Sequence, residues 1–398
     1  MAISVAGPTG HIDPTDRLTR PGHIEPTGCY TPTGRLAPTS RLRSMGSATG
    51  CMSRRGWRTA GRTGRRFVWL LVAAIVAAST CPCGAARAEV WTTVRIMSFN
   101  IRHAAGLDEL LLPPNGWLNL SDPLLGRRHR VLSAIEDYGP DLLGVQEAFF
   151  VQVDDLLGGF DGRRLEGYAF SGVGRDDGQL QGETTGIFYR PDRFTLLDEG
   201  TFWLSSTPDV PGTVFAGSGS IRIASWVKLH DAQSRSDLLV LNTHWDNVSS
   251  SSRLQSAVLI RQQLADLAEG LPLIVMGDLN ATETSSAVST LRGAAANDGA
   301  PPLVDAYREV FPVRGPLEAT YHNFTGSTAG SRIDYILHSP EWTAQQAAIV
   351  RTTYGGLYPS DHFPVTATLQ IAVAVPEPAG SVLAAVGFFA ALLVWRRR

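Results

Sequence analysis

Cysteine is absent from most of this 398-residue chain: Cys29, Cys51, Cys81 and Cys83 are the only four, and none follows residue 83. The rest therefore has no disulfide, thiolate nucleophile or zinc–thiolate site, and only its core can stabilise it. Lysine is scarcer still, with Lys228 alone. Between residues 89 and 374 there are 20 Lys and Arg against 33 Asp and Glu, a net of −13. An acidic body with one lysine gains little from neutralising many phosphates at once, which disfavours non-specific gripping of a long nucleic acid. No internal repeat or linker divides this region. At about 290 residues it is long enough to bury its own core, as one large domain or two small ones.

The two ends differ from this body. Residues 1–51 recur in Pro-Thr-Gly and Gly-His-Ile with almost no apolar periodicity. The expectation is disorder, or an untranslated extension with initiation at Met45 or Met52. Residues 52–88 carry Arg54, Arg55, Arg58, Arg62, Arg65 and Arg66, then the apolar run Phe67–Thr80, then Ala86-Arg87-Ala88. Basic flank, short apolar run and small-residue cleavage site form a secretory signal peptide, and the run is shorter than the ~20 residues of a membrane span. Residues 375–398 run from Val375-Pro376-Glu377-Pro378 through the apolar Ala379–Trp395 to Arg396-Arg397-Arg398. Such a tail reads as a membrane stop with its positive end inside. It resembles the PEP-CTERM sorting signal, which implies recognition by an exosortase-type processing enzyme and membrane attachment through the C-terminal helix before processing. Both ends place the body outside the cytoplasm, in the periplasm, on the cell surface or in the medium.

Within the body, strands are expected at 94–100, 141–146, 168–173, 185–189, 195–204, 221–230, 238–243, 273–276, 333–338, 347–351 and 365–371. Helices are expected at 124–138, 151–157, 252–268, 284–291 and 304–310, the clearest carrying Leu254, Ala257, Val258, Ile260, Leu264 and Leu267 on one side. Many strands in mostly antiparallel succession, with helices between, predict an α/β fold of two packed sheets flanked by helices.

Six short polar motifs follow apolar runs, so each is expected at a strand mouth: Ser98-Phe99-Asn100-Ile101-Arg102, Gln146-Glu147-Ala148, Gly182-Glu183 with Ile187-Phe188-Tyr189-Arg190, Asn242-Thr243-His244, Gly277-Asp278-Leu279-Asn280, and Ser360-Asp361-His362-Phe363-Pro364. Asp278 and Asn280, two apart, could hold and deprotonate one water; they would equally make an Asx turn capping the next helix. His362 is a candidate acid/base with Asp334 as partner, or a solvated loop histidine. Glu147 at a buried strand end needs a partner, and a divalent cation is one, with Asn100 supplying a neutral oxygen. His244 could donate to a phosphoryl oxygen. His103, His129, His230, His322 and His338 have no such setting. Carboxylates, amides and histidines gathered from many strand ends point to a metal-assisted hydrolase.

Order and content of these motifs, over nearly all of Trp91–Ala372, resemble the endonuclease/exonuclease/phosphatase superfamily of pancreatic-type deoxyribonuclease and exonuclease III-like enzymes. The resemblance implies a four-layered α/β sandwich and Mg2+ or Mn2+ as cofactor. It implies Glu147 as principal metal ligand with Asn100 and Asp361 nearby, and Asp278 with Asn280 as activators of the water. It further implies His244 on the scissile phosphate, His362 paired with Asp334, Glu183 as a second acid, and Tyr189 and Arg190 flanking the phosphate. Arg102 departs from the pattern, standing where some abasic-site nucleases have an acid, which implies a smaller metal shell. The expected activity is metal-dependent phosphodiester hydrolysis, with a nucleic acid as leading substrate. A small or lipid phosphoester is the first alternative, and a catalytically silent surface-anchored binding module the second.

Overall fold

The computed structural model describes residues 90–118, 126–158, 162–293 and 298–373. The predicted extension (1–51), signal peptide (52–88) and sorting tail (375–398) lie outside the described residues. Among the described residues no helix is long and apolar enough to cross a membrane.

One six-stranded sheet contains β1 (Trp91–Asn100), β2 (Leu142–Gln146), β3 (Ala169–Ser171), β4 (Ile187–Tyr189), β11 (Thr343–Ile349) and β12 (Val365–Ala372), in the order β11-β12-β1-β2-β4-β3. The other contains β5 (Phe194–Trp203), β6 (Ile223–Asp231), β7 (Ser236–His244), β8 (Leu273–Asp278), β9 (Val304–Asp305) and β10 (Asp334–His338), in the order β5-β6-β7-β8-β10-β9. Each sheet has one parallel pair, β1 with β2 and β7 with β8; the remaining pairs are antiparallel. The helices are α1 (Leu107–Leu111), α2 (Arg127–Tyr138), α3 (Phe150–Gly158), α4 (Ser250–Ala268), α5 (Ser286–Arg292) and α6 (Ala306–Val310).

The central strands are apolar on both faces because they are buried on both. Along β1, Val94 and Ile96 enter the core between the sheets, whereas Met97 and Phe99 pack under α2 and α3. In β8, Ile274 and Met276 point to the same central core, and Leu273 and Val275 meet α4 and α5. Period-2 alternation thus sorts one apolar run into two layers. The result is the predicted layering: helices, sheet, sheet, helices.

Polar ties cross the central core, two of them at opposite ends of the strands. Asn242 on β7 donates through Nδ2 to Val145 O (2.8 Å) and Gly186 O (2.9 Å) of the opposite sheet, and its Oδ1 accepts from Gln146 Nε2 (2.7 Å). Gly144 allows this approach, since a Cβ there would lie 2.9 Å from Asn242 Cγ. At the far ends of the strands, buried Arg193 donates to both carboxylate oxygens of Asp231 (2.9 Å each), to Asp141 Oδ2 (3.0 Å) and to Thr93 O (2.9 Å).

Three local expectations are corrected. In α4 the buried stripe is Ala257, Ile260, Leu264 and Ala268 with Ser256 and Arg261, while Val258 is 44% exposed. Arg261 is bonded to Asp298 and to Leu291 O and Ala300 O, so burial did not require an apolar side chain. The predicted helix 304–310 opens as strand β9, because Asp305 caps α6 through the amides of Tyr307 and Arg308. The strand expected at 347–351 lies earlier, at Thr343–Ile349; it is a polar edge strand with a register shift, where hydrophobic alternation carries no signal. Helix α1 was not anticipated.

Candidate active site

Sheet register gathers the motifs on one rim. Asn100 ends β1 and pairs with Gln146 at the end of β2, so Glu147 follows beside it. His244 ends β7 and pairs with Asp278 at the end of β8. Asp334 opens β10 directly opposite Asp278, because that pair is antiparallel. Asp361 and His362 precede β12, which runs antiparallel to β1. Arg102, Glu147 and Asn280, each two residues or fewer past a strand end, adopt left-handed φ values of 58°, 61° and 45°. Non-glycine residues are held there only when the surroundings over-determine them, and such positions cluster at functional sites.

A cavity of about 300 Å³ is lined by Arg102, Glu147, Arg222, His244, Asn247, Asp278, Asn280, Tyr321, Ile333, Asp361 and His362. A larger groove of about 610 Å³, between α4 and the chain around Phe215, contains no ionisable side chain and so cannot hold this chemistry.

Asn100 Nδ2 donates to Glu147 Oε1 (3.0 Å) and Asp278 Oδ2 (3.1 Å). His103 N donates to Glu147 Oε2 (3.3 Å). Burial would raise the Glu147 carboxyl, but the Asn100 bond and the charges of His362, His103 and Arg102 bring it below its ordinary value. Arg102 Nη1 lies 3.3 Å from Asp361 Oδ2, and Ser360 Oγ donates to Asp361 Oδ1 (3.2 Å) and Asn100 O (2.7 Å). Burial, and next the adjacent Asp334 charge, push Asp278 up to about 7. His362 Nδ1 sits 3.0 Å from Asp334 Oδ2, and its Nε2 3.7 Å from Asp278 Oδ2. Burial opposes a charged imidazole, but the two aspartates outweigh it and raise His362 to about 10. His244 goes the other way: burial and the Arg222 charge hold it well below the usual histidine range.

The donor set fits a divalent cation. The carboxylates of Glu147, Asp278, Asp334 and Asp361, all but Glu147 buried, stand against the cations Arg102, Arg222 and His362. Asp278, Asp334 and His362 have ligand atoms within 4.8 Å of one another. Of these, His362 is committed to Asp334 and its proton, so oxygen donors from Glu147, Asp361 and Asn100 suit a hard cation better.

Nine of the eleven sequence-predicted residues converge here: Asn100, Glu147, Glu183, His244, Asp278, Asn280, Asp334, Asp361 and His362. Glu183 arrives indirectly, its carboxylate bound by Arg175 (2.5 Å) and Arg222 (3.5 Å) behind His244. Tyr189 and Arg190 are not in the site. Tyr189 pairs with Leu142 at the opposite end of β2 and is buried between the sheets; Arg190 stacks on Tyr168, 4.3 Å from its ring centre. Their motif continues a strand away from the rim, which reverses its position relative to Glu183. His103, read as settingless, touches Glu147 through its amide. Arg222, Asn247 and Tyr321 escaped sequence reasoning. Arg222 was findable, since the start of an antiparallel strand shares a rim with its neighbour's end.

The endonuclease/exonuclease/phosphatase family profile matches residues 97–362. A solved endonuclease/exonuclease/phosphatase family protein from Bacteroides thetaiotaomicron is 30% identical, with a TM-score of 0.62 over 73% of this chain and 99% of that one. A mannosyl-6-phosphatase from the same organism is 31% identical, with a TM-score of 0.60 over 69% of this chain and 99% of that one. An uncharacterized protein of Acanthamoeba polyphaga mimivirus is 27% identical over 122 residues, 26% of this chain and 18% of that protein, so this chain spans only a small part of that relative.

Proposed function

Because the chain belongs to the endonuclease/exonuclease/phosphatase family, and is thereby a metal-dependent phosphoester hydrolase, we propose that it removes the phosphoryl group of a small phosphomonoester, a sugar phosphate being the best-matched class. The observation that carries this is the cavity: about 300 Å³, walled by acid/base groups, in a body with one lysine. A pocket of that size suits a compact head group, and a body with a net charge of −13 gains little from neutralising a polyanion. The 31% identical mannosyl-6-phosphatase supports the same reading.

A divalent cation, Mg2+ or Mn2+, held by Glu147, Asn100 and Asp361 would neutralise charge on the phosphoryl oxygens. Asp278, raised toward neutrality, accepts the proton of the attacking water that it and Asn280 orient. His362, kept protonated by Asp334, places a cation where negative charge grows in the transition state. His244, held neutral by burial and the Arg222 charge, lines the cavity beside Asn280.

A nucleic-acid end is the second reading. Tyr321 is 47% exposed at the cavity mouth, its ring 5.1 Å from that of His362, where an aromatic face could stack a base. Export by residues 52–88, and sorting through residues 375–398 by an exosortase-type enzyme, complete the proposal and set the working location outside the cytoplasm.

Purified protein should release phosphate from mannose 6-phosphate with Mg2+ or Mn2+, lose that activity in EDTA and in His362→Ala, and leave single-stranded DNA and RNA intact. Metal-dependent cleavage of a nucleic acid that disappears in the same variant, without monoester turnover, would replace the first reading by the second.

A further inference from the structure

Arg102 lines the catalytic cavity and also a second cavity of about 320 Å³. Its guanidinium reaches both ways: Nη1 lies 3.3 Å from Asp361 Oδ2 on the catalytic side, and Nη2 lies 2.7 Å from Glu109 Oε1 on the other. Glu109, Leu112, Asn115, Arg127 and Phe324 line the second cavity with it.

The walls are fixed in place. Buried Arg127 donates to Ile101 O (2.6 Å), His103 O (2.9 Å) and Asn115 O, so one cation binds the segment bearing Arg102 to the turn bearing Asn115. The amides of His322 and Asn323 both donate to Asp361 O, at 2.8 and 3.1 Å. Asn323 and Phe324 then take consecutive left-handed φ values of 45° and 59°. For a bulky residue that is a costly conformation, kept only where the surroundings over-determine it. With this turn one short loop serves both cavities, Tyr321 on the catalytic one and Phe324 on the other.

The phosphoryl group needs only the first cavity, but a phosphomonoester also has an alcohol half bonded directly to it. The second cavity falls in the about 300–1,000 Å³ range of small-molecule pockets. Phe324 offers an apolar face, and Glu109 and Asn115 offer partners for hydroxyl groups. Glu109 keeps lone pairs free after meeting Arg102 and His103, since a carboxylate has about four. Its charge also disfavours a second anionic group there. We propose that this cavity is the leaving-group subsite, holding the ring of a hexose whose phosphate occupies the catalytic cavity, with Phe324 and Asn115 as specificity-determining residues. The subsite rests on the phosphomonoesterase reading, but sugar binding is measurable without turnover.

Saturation-transfer NMR of the wild-type protein with mannose should show transfer to the sugar's ring protons, lost in Phe324→Ala and weakened in Asn115→Ala. No transfer in the wild type, or transfer as strong in Phe324→Ala, would overturn the subsite. The ratio of kcat/KM for mannose 6-phosphate to that for glycerol 2-phosphate, which has no ring, should drop about tenfold or more in each variant, chiefly through KM. If every variant that folds keeps the wild-type ratio, the subsite falls as well. A wild type that binds mannose through Phe324 yet hydrolyses no phosphomonoester would sink the proposed function and leave the sugar site standing.

Discussion

Glu147 carries two burdens at one position: a left-handed backbone and a half-buried charge. Its geometry is held by Asn100 Nδ2 and His103 N, so replacing the carboxylate by an amide keeps the shape and removes the charge. Glu147→Gln is expected to fold with a modestly lowered melting temperature, because its NH2 must face Asn100 Nδ2 or His103 N, to bind Mn2+ at least tenfold more weakly by calorimetry, and to lose about 10²-fold or more in kcat. Residue chemistry was legible wherever a motif ended a strand, because the alternation of apolar and polar positions reveals where a strand stops. It was less legible for amides. Gln146 and Asn242 look like site residues in the sequence, yet their side chains bond to each other across the sheets and to Val145 O, Gly186 O and Ser98 Oγ. An amide that bridges backbones and one that binds a substrate are the same letter.

The strands themselves were foreseen with small shifts, since burial on both faces writes long Leu, Val and Ile runs. Pairing was not foreseen, because nothing local states that Asp334 lies opposite Asp278. That juxtaposition adds to burial in raising Asp278, and the two aspartates together keep His362 charged. Gly277 is the element's weak point. Its φ is 150°, and a Cβ would fall 2.0 Å from Thr243 O on β7. Gly277→Ala must therefore part β7 from β8 between His244 and Asp278. The expected cost is about 3 kcal/mol or more in chemical denaturation, with activity falling further than stability explains.

Across the whole molecule, acid sensitivity follows from carboxylates held below their ordinary range. Burial would raise Glu283, but bonds from Arg308, Arg314 and Arg332 bring it to about 2. Asp231 is likewise lowered, burial opposing and Arg193 prevailing. A depressed folded-state value gives stability that is complete above the unfolded value of about 4.3 for Glu and is lost as pH falls toward the folded one. Denaturant midpoints should thus decline between about pH 4.5 and pH 2, and Glu283→Gln should start lower and decline less. An equal decline in that variant would remove Glu283 from the account.

The two cross-sheet ties differ in kind. Beside the cavity the sheets are joined by the neutral amides of Gln146 and Asn242; at the far rim they are joined by the Arg193 ion pairs. Protons can loosen the second of these and not the first. In an acidifying medium the Arg193 pairs would loosen the sandwich at its back, while beside the cavity the amides of Gln146 and Asn242, which do not titrate, would go on holding β2 against β7.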